Sequence, residues 1–223
     1  SSMPKEEIAA FAEKYLASMP AGYAYKLAKV QPKVPSYKGG NEYVRTFKAS
    51  SKVSKATVSV NWLYSVKTDL RSLCVLDYIM SARCLSQIRE QRGGTYSVSF
   101  SSSIFREKKG LVQSSVDFET RPELRDTLVN DAYELLSDFC ENGPTDEEMS
   151  AAKNYLMKYY TKLQKNRQIS VVKRNASIQD HAASGVWDED YKQALSEVTA
   201  SDVLKTARKA NKGARLLSVL NEE

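Results

Sequence analysis

Apolar positions divide the chain into a leading helix, a block of strands and a block of helices. Ile8, Phe11, Tyr15, Leu16 and Met19 recur at helical spacing and predict a helix over Lys5 to Met19, stopped by Pro20 and Gly22. Pro20, Pro32, Pro35, Gly39 and Gly40 then mark a linker and a turn. A boundary is expected near residues 22–36, with residues 1–24 closing a preceding domain and 25–223 forming the main one. Glu42 to Ala49 reads as a strand. Over Lys55 to Val66, Val58, Val60, Trp62, Tyr64 and Val66 alternate with Thr57, Ser59, Asn61 and Ser65, and Leu63 is the exception. That period of two predicts a half-buried, antiparallel-type strand. Thr68-Asp69 offers caps for a helix whose apolar face runs through Leu70, Leu73, Cys74, Asp77, Met80, Ser81, Cys84, Leu85 and Ile88 to Arg89.

After Gly93-Gly94 a further strand is expected, with Tyr96, Val98, Phe100 and Ile104 on one face and Ser97, Ser99, Ser101 and Ser103 on the other. Lys108-Lys109-Gly110 reads as a hairpin turn into a strand carrying Val112, Ser114, Val116 and Phe118. Helices are predicted over Pro122 to Asn142, from Thr145 onward through Met149, Ala152, Leu156, Tyr159 and Leu163, and over Ser170 to Ala183. Thr145 to Glu148 has the form of a capping box. Trp187 to Leu195 reads as short and irregular. Thr199-Ala200-Ser201-Asp202 opens a last helix, and Ala214 to Leu220 is a closing strand. Strands in a block followed by helices in a block predict an α+β fold: an antiparallel-rich sheet with helices packed on one face.

Composition narrows the chemistry. The 223 residues carry 33 basic and 27 acidic side chains, a net charge of +6, and the signs are interspersed. The densest basic run, Lys158 to Arg174, falls on a predicted helix and its exit, and reads as a solvated face rather than a nucleic-acid site. No apolar run is long enough to span a membrane. Three cysteines, Cys74, Cys84 and Cys140, lack CxxC spacing and read as buried free thiols. There is one histidine, His181. A His-rich zinc site or a two-His relay therefore cannot be built from this chain alone.

The stretch Ile88-Arg89-Glu90-Gln91-Arg92-Gly93-Gly94-Thr95-Tyr96 joins the long helix to a strand. Arg89 is a planar five-donor fork and Tyr96 a ring with a hydroxyl tip, and a folded-back loop could aim both at one point. The competing reading is a helix C-terminus with basic residues that complement its dipole, followed by a glycine stop.

Several phrases, in order, resemble the pitrilysin/insulin-degrading-enzyme family of zinc metallopeptidases (M16), which also includes the mitochondrial processing peptidases. Ile88 to Val98 looks like the signature of that family's C-terminal half, an Arg followed seven positions on by a Tyr. Asn142-Gly143-Pro144-Thr145-Asp146-Glu147-Glu148-Met149, with Ala152-Lys153, looks like its GPT-x-x-E helix start. Glu197 to Val203 looks like a second helix start, and Lys14 to Pro20 like the helix closing the preceding domain. Members that cut peptides carry H-x-x-E-H and a distal Glu. Here the corresponding helix reads Leu73-Cys74-Val75-Leu76-Asp77-Tyr78-Ile79-Met80, without a ligand set.

The resemblance therefore implies a non-zinc half of a two-lobed clamshell peptidase, on the fold of the mitochondrial processing peptidases. It implies no catalytic or metal-binding residue and no cofactor in this chain. Zinc is expected in a partner lobe, in the same polypeptide or a separate subunit, with peptides as substrates and no nucleic acid. Arg89 and Tyr96 are the residues that match the family's substrate-contacting pair, and Arg92 ranks second because only four positions separate it from Tyr96. A non-proteolytic assembly subunit of the same fold, like the core subunits of the respiratory bc1 complex, is the alternative.

Overall fold

The structure is a computed structural model that describes residues 3–17, 19, 40–48, 54–66, 70–105, 110–165 and 191–222. The expected helix over Ser170 to Ala183, the caps Thr68 and Asp69, the turn residues Lys108 and Lys109, Trp187 and His181 lie outside the described residues.

The chain separates into two compact units, Ser1–Lys33 and Val34–Glu223. The first holds helix α1 (Lys5–Tyr15), where the Phe11 and Tyr15 rings meet at 4.5 Å and no residue is buried. The second is built, among the described residues, on five strands: β1 (Asn41–Phe47), β2 (Lys55–Ser65), β3 (Thr95–Phe105), β4 (Leu111–Thr120) and β5 (Ala214–Glu222). Its described helices are α2 (Leu70–Cys84), α3 (Arg125–Asn142), α4 (Asp146–Lys165), α5 (Tyr191–Glu197) and α6 (Ala200–Asn211). A π-helical turn, Leu85–Gln91, continues α2, and a 3-10 turn, Pro122–Leu124, precedes α3.

The strands lie in the order β1-β5-β2-β4-β3. Strand β2 is antiparallel to both neighbours, pairing Val58 with Phe118 and with Val219, and β3 is antiparallel to β4. The sheet is antiparallel-rich as expected from the sequence, and the one parallel pairing among the described strands is that of β1 with β5. The period-two pattern of β2 sends Ala56, Val58, Val60, Trp62 and Tyr64 into one core with buried residues of α2, α3 and α6. Trp62 is fully buried, with Phe100 of β3 at 6.3 Å and Tyr133 of α3 edge-on at 5.7 Å between ring centroids. The opposite sheet face carries a polar cluster on β2 and β4. There the Ser59 and Ser115 hydroxyls donate to Asp117 at 2.5 and 2.6 Å, and Gln113 donates to Asn61 at 2.7 Å.

None of the three cysteines is in a disulfide. Cys84 and Cys140 are buried as expected, whereas Cys74 is only half-buried. Burial pushes the Cys84 thiol up to about 12 and raises Cys140 as well. Thiolate is the reactive species. A small disulfide reagent should therefore label Cys74 first in the native chain and reach Cys84 only on unfolding. Denaturation without reductant should release three titratable thiols, and a count of one would mean a disulfide.

Candidate functional site

The end of α2 and the start of β3 are each shifted by one residue from a regular frame. In the π turn the Arg92 N–H donates to the Gln87 carbonyl at 3.3 Å, an i to i−5 bond, and Gly93 N–H returns to the Arg89 carbonyl at 2.9 Å. Ile88 is fully buried and anchors the turn, while Arg89 on the same turn is exposed. Gly93 has φ +59°, a left-handed conformation that glycine adopts without steric cost. Gly94 is crowded for a different reason: a Cβ there would lie 2.9 Å from Leu128 Cδ1 and 3.2 Å from Leu124 Cδ1, so those leucine ends would have to shift. The Thr120 hydroxyl donates to the Gly94 carbonyl at 2.6 Å, so the turn is held between α3 and β4.

Beyond it, Thr95 stands opposite Thr120 and Val98 opposite Phe118. Three steps along β3 match two along β4, which is a bulge carrying one extra residue. The strict alternation expected from the sequence would place Tyr96 on the apolar face with Val98. The bulge breaks that alternation, and Tyr96 is 90 % exposed.

The two frame shifts bring Arg89 and Tyr96 together. The guanidinium carbon lies 5.9 Å from the centroid of the Tyr96 ring, within the range of a cation–π contact. At so exposed a site the contact orients the pair more than it stabilises the fold. Among the described residues Arg89 has no carboxylate partner, so its hydrogen-bond donors remain open. Arg92 differs: its Nε and Nη2 each donate to Asp131 of α3 at 2.9 Å, a bidentate pair that occupies the fork.

A second polar group runs inward from α2. Ser102 N–H donates to Asp77 Oδ2 at 3.1 Å and its hydroxyl to Asp77 Oδ1 at 2.6 Å. With that proton committed, Ser102 Oγ accepts from the Ser114 hydroxyl at 2.6 Å, and Ser114 accepts from Tyr64 at 2.8 Å. Sequence reasoning assigned these residues no role. The signal was present: Asp77 and Ser114 are polar residues at positions whose periodic neighbours are core.

Burial pushes the Asp77 carboxyl up to about 7 from an ordinary 3.8, with the two Ser102 bonds opposing. Between those values the folded chain keeps a proton that the unfolded chain has released. Stability contributed by this group is therefore full below about 4 and falls as pH rises through about 7. Asp77→Asn should remove that slope, so the variant's melting temperature should gain on the wild type between pH 5 and pH 8. A difference that does not change with pH would contradict this assignment.

Among the described residues no group of three or more His, Cys, Asp or Glu is placed to hold a metal ion. In the helix where a zinc-bearing half carries its motif, Leu73, Val75, Leu76, Ile79 and Met80 are core, and Asp77 is committed to Ser102. These residues do not fit a zinc ligand set. No described helix is long and apolar enough to cross a membrane.

The larger unit is thus an α+β lobe whose helix α2 is packed into the core without a metal-ligand set, and whose edge strand β3 begins beside the exposed Arg89–Tyr96 pair. The chain belongs to the peptidase M16 inactive-domain family, whose sequence profile matches residues 1–156. No curated protein sequence matches it. Among solved structures, the periplasmic protease PqqL from Escherichia coli is similar at 20 % identity and TM-score 0.81, over 100 % of this chain and 25 % of that one. A peptidase M16 inactive domain from Pseudomonas fluorescens is similar at 19 % identity and TM-score 0.76, over 98 % of this chain and 51 % of that one. A protease from Helicobacter pylori gives 12 % identity and TM-score 0.75, over 98 % and 53 %. The chain thus spans a quarter of the first relative and about half of the other two.

Proposed function

We propose that this chain is the substrate-binding half of a clamshell metalloendopeptidase, and that it encloses and positions peptides for hydrolysis by a zinc-bearing lobe. The observation that carries this reading is the Arg89–Tyr96 pair. Two donor side chains from different elements meet on the surface, and among the described residues Arg89 is left without a carboxylate partner. Arg and Tyr donors suit a peptide carbonyl oxygen that gains charge as its bond is attacked. A pair that only closed a helix would have no need of a π turn and a bulge to bring it together. The partner is a zinc-bearing lobe of the same family, attached or separate, and the substrates are peptides. The sheet face with the polar cluster and the exposed pair form this half's share of the enclosing wall.

The reading is tested by assaying a quenched fluorescent peptide with the chain alone, with a zinc-bearing M16 lobe alone, and with both. Hydrolysis should be absent with the chain alone and should rise on mixing. Metal-dependent cleavage by the purified chain alone would overturn the two-lobe account.

A further inference from the structure

Strand β3 lies at the end of the sheet, with β4 on one side and, among the described residues, no strand on the other. An edge strand presents a row of unpaired N–H and C=O groups that can template another chain. Such edges are commonly guarded by charge, proline or a β-bulge within the strand. From Thr95 to Phe105 this strand has no charge and no proline, and its bulge lies at the Thr95–Val98 end, short of Phe100.

The guard comes instead from α2. In an antiparallel ladder alternate residues point both backbone groups away from the paired neighbour. Phe100 and Ser102 are two positions apart, and both turn to α2. The Phe100 N–H donates to Ser81 Oγ at 3.3 Å, and the Phe100 carbonyl accepts the Ser81 hydroxyl at 2.7 Å. Ser102 N–H is taken by Asp77 at 3.1 Å. One serine thus occupies both outward groups of Phe100, and one carboxyl group occupies the next outward donor. The Tyr64–Ser114–Ser102 hydroxyl chain ends on the same carboxyl group and fixes its orientation.

We propose that Asp77 and Ser81 are positioning residues that close the outer edge of β3 to strand addition over Phe100 to Ser102, and so direct a peptide backbone to the bulged Thr95–Val98 end, beside Arg89 and Tyr96. The closure stands on the contacts of this chain alone, while its use in directing substrate rests on the peptidase-half reading. The consequence is a short grip. This half holds a peptide over the bulge and the Arg–Tyr pair rather than along a full strand.

Residue-resolved amide exchange on the 223-residue chain tests this. Ser81→Ala should speed exchange at Phe100 by about tenfold, and Asp77→Ala should do the same at Ser102. Asp77→Asn keeps an acceptor and should restore slow exchange at Ser102. The peptide probe is a short soluble sequence of alternating Thr and Val. In the wild type it should slow exchange at Tyr96 to Val98 but not at Phe100 or Ser102. In the Ser81→Ala/Asp77→Ala chain the slowing should spread to both. Wild-type protection of Phe100 or Ser102 by the probe overturns the proposal. So does unchanged Phe100 exchange in a folded Ser81→Ala chain, a measurement that still decides if Asp77→Ala fails to fold. Absence of protection at Tyr96 to Val98 overturns the directing role. None of these measurements needs a zinc lobe, so they succeed or fail independently of restored hydrolysis.

Discussion

Glu148→Ala should lower the unfolding free energy by about 2–3 kcal/mol. Glu148 performs two tasks. Its carboxylate accepts the Thr145 N–H at 2.8 Å, while the Glu148 N–H donates to the Thr145 hydroxyl at 3.2 Å, which closes a capping box at the start of α4. The same carboxylate receives Arg83 Nε at 2.7 Å and Nη2 at 2.8 Å. Loss of a cap costs about 1 kcal/mol. An exposed ion pair contributes at most about 1 kcal/mol, whereas breaking a buried one costs about 3–5 kcal/mol. Here the side chains are 22 % and 27 % exposed, so the pair falls between those limits.

Truncation would also strand Arg83, which is fixed by the Gly143 carbonyl at 3.0 Å and lies over the Phe139 ring at 4.7 Å. The bidentate Arg83 bonds, foremost, hold the Glu148 carboxyl below its usual value. The stabilisation it gives is therefore present above its ordinary value of 4.5 and is lost as pH falls through the lowered folded value. Urea denaturation should show Glu148→Gln retaining the cap and part of the Arg83 contact, with about half the loss. A Glu148→Ala chain within about 0.5 kcal/mol of wild type would show that solvent screens the pair.

The same clamp explains why some features could be read from the sequence and others could not. Gly143-Pro144-Thr145 with Glu148 was legible because a capping box is local: its partners sit three residues apart. That Arg83 completes it was not legible, because sixty-five positions separate the two. Strands β2 and β4 were legible for the same local reason, since a period of two survives along an unbroken strand. The parallel pairing of β1 with β5 joins the two ends of the domain, and no periodicity reports it. The candidate pair sits on two insertions, Arg89 in the π turn before Gly93 and Tyr96 in the bulge after Gly94. Each adds one residue to a regular frame, so a pattern continued through either one assigns the wrong face. This is how Tyr96 came to be expected beside Val98. Arg89 and Tyr96 were still found as candidates because their residue types and spacing do not depend on the frame.

In the chain assembled with its zinc lobe, Arg89→Ala and Tyr96→Phe should each lower kcat/KM by at least about tenfold. If the pair donates to a developing oxyanion, losing one donor costs about 2.7–4 kcal/mol, on the order of 10²–10³ in rate. If it only orients the ground-state peptide, the loss should appear mainly in KM with kcat preserved, which separates positioning from transition-state stabilisation. Fold stability should hardly change, because both side chains are exposed and their mutual contact is a surface one. Arg92 provides the internal control. Its fork is already filled by Asp131, so Arg92→Ala should cost some stability at the α3 contact and leave kcat/KM close to wild type. Zinc content of the assembled enzyme should be equal in all three variants, since no residue altered is a metal ligand. Near-wild-type kinetics for both Arg89→Ala and Tyr96→Phe would return the pair to the end of a helix and the start of a strand. The assembly-subunit reading, in which this fold carries no substrate, would then be the stronger one.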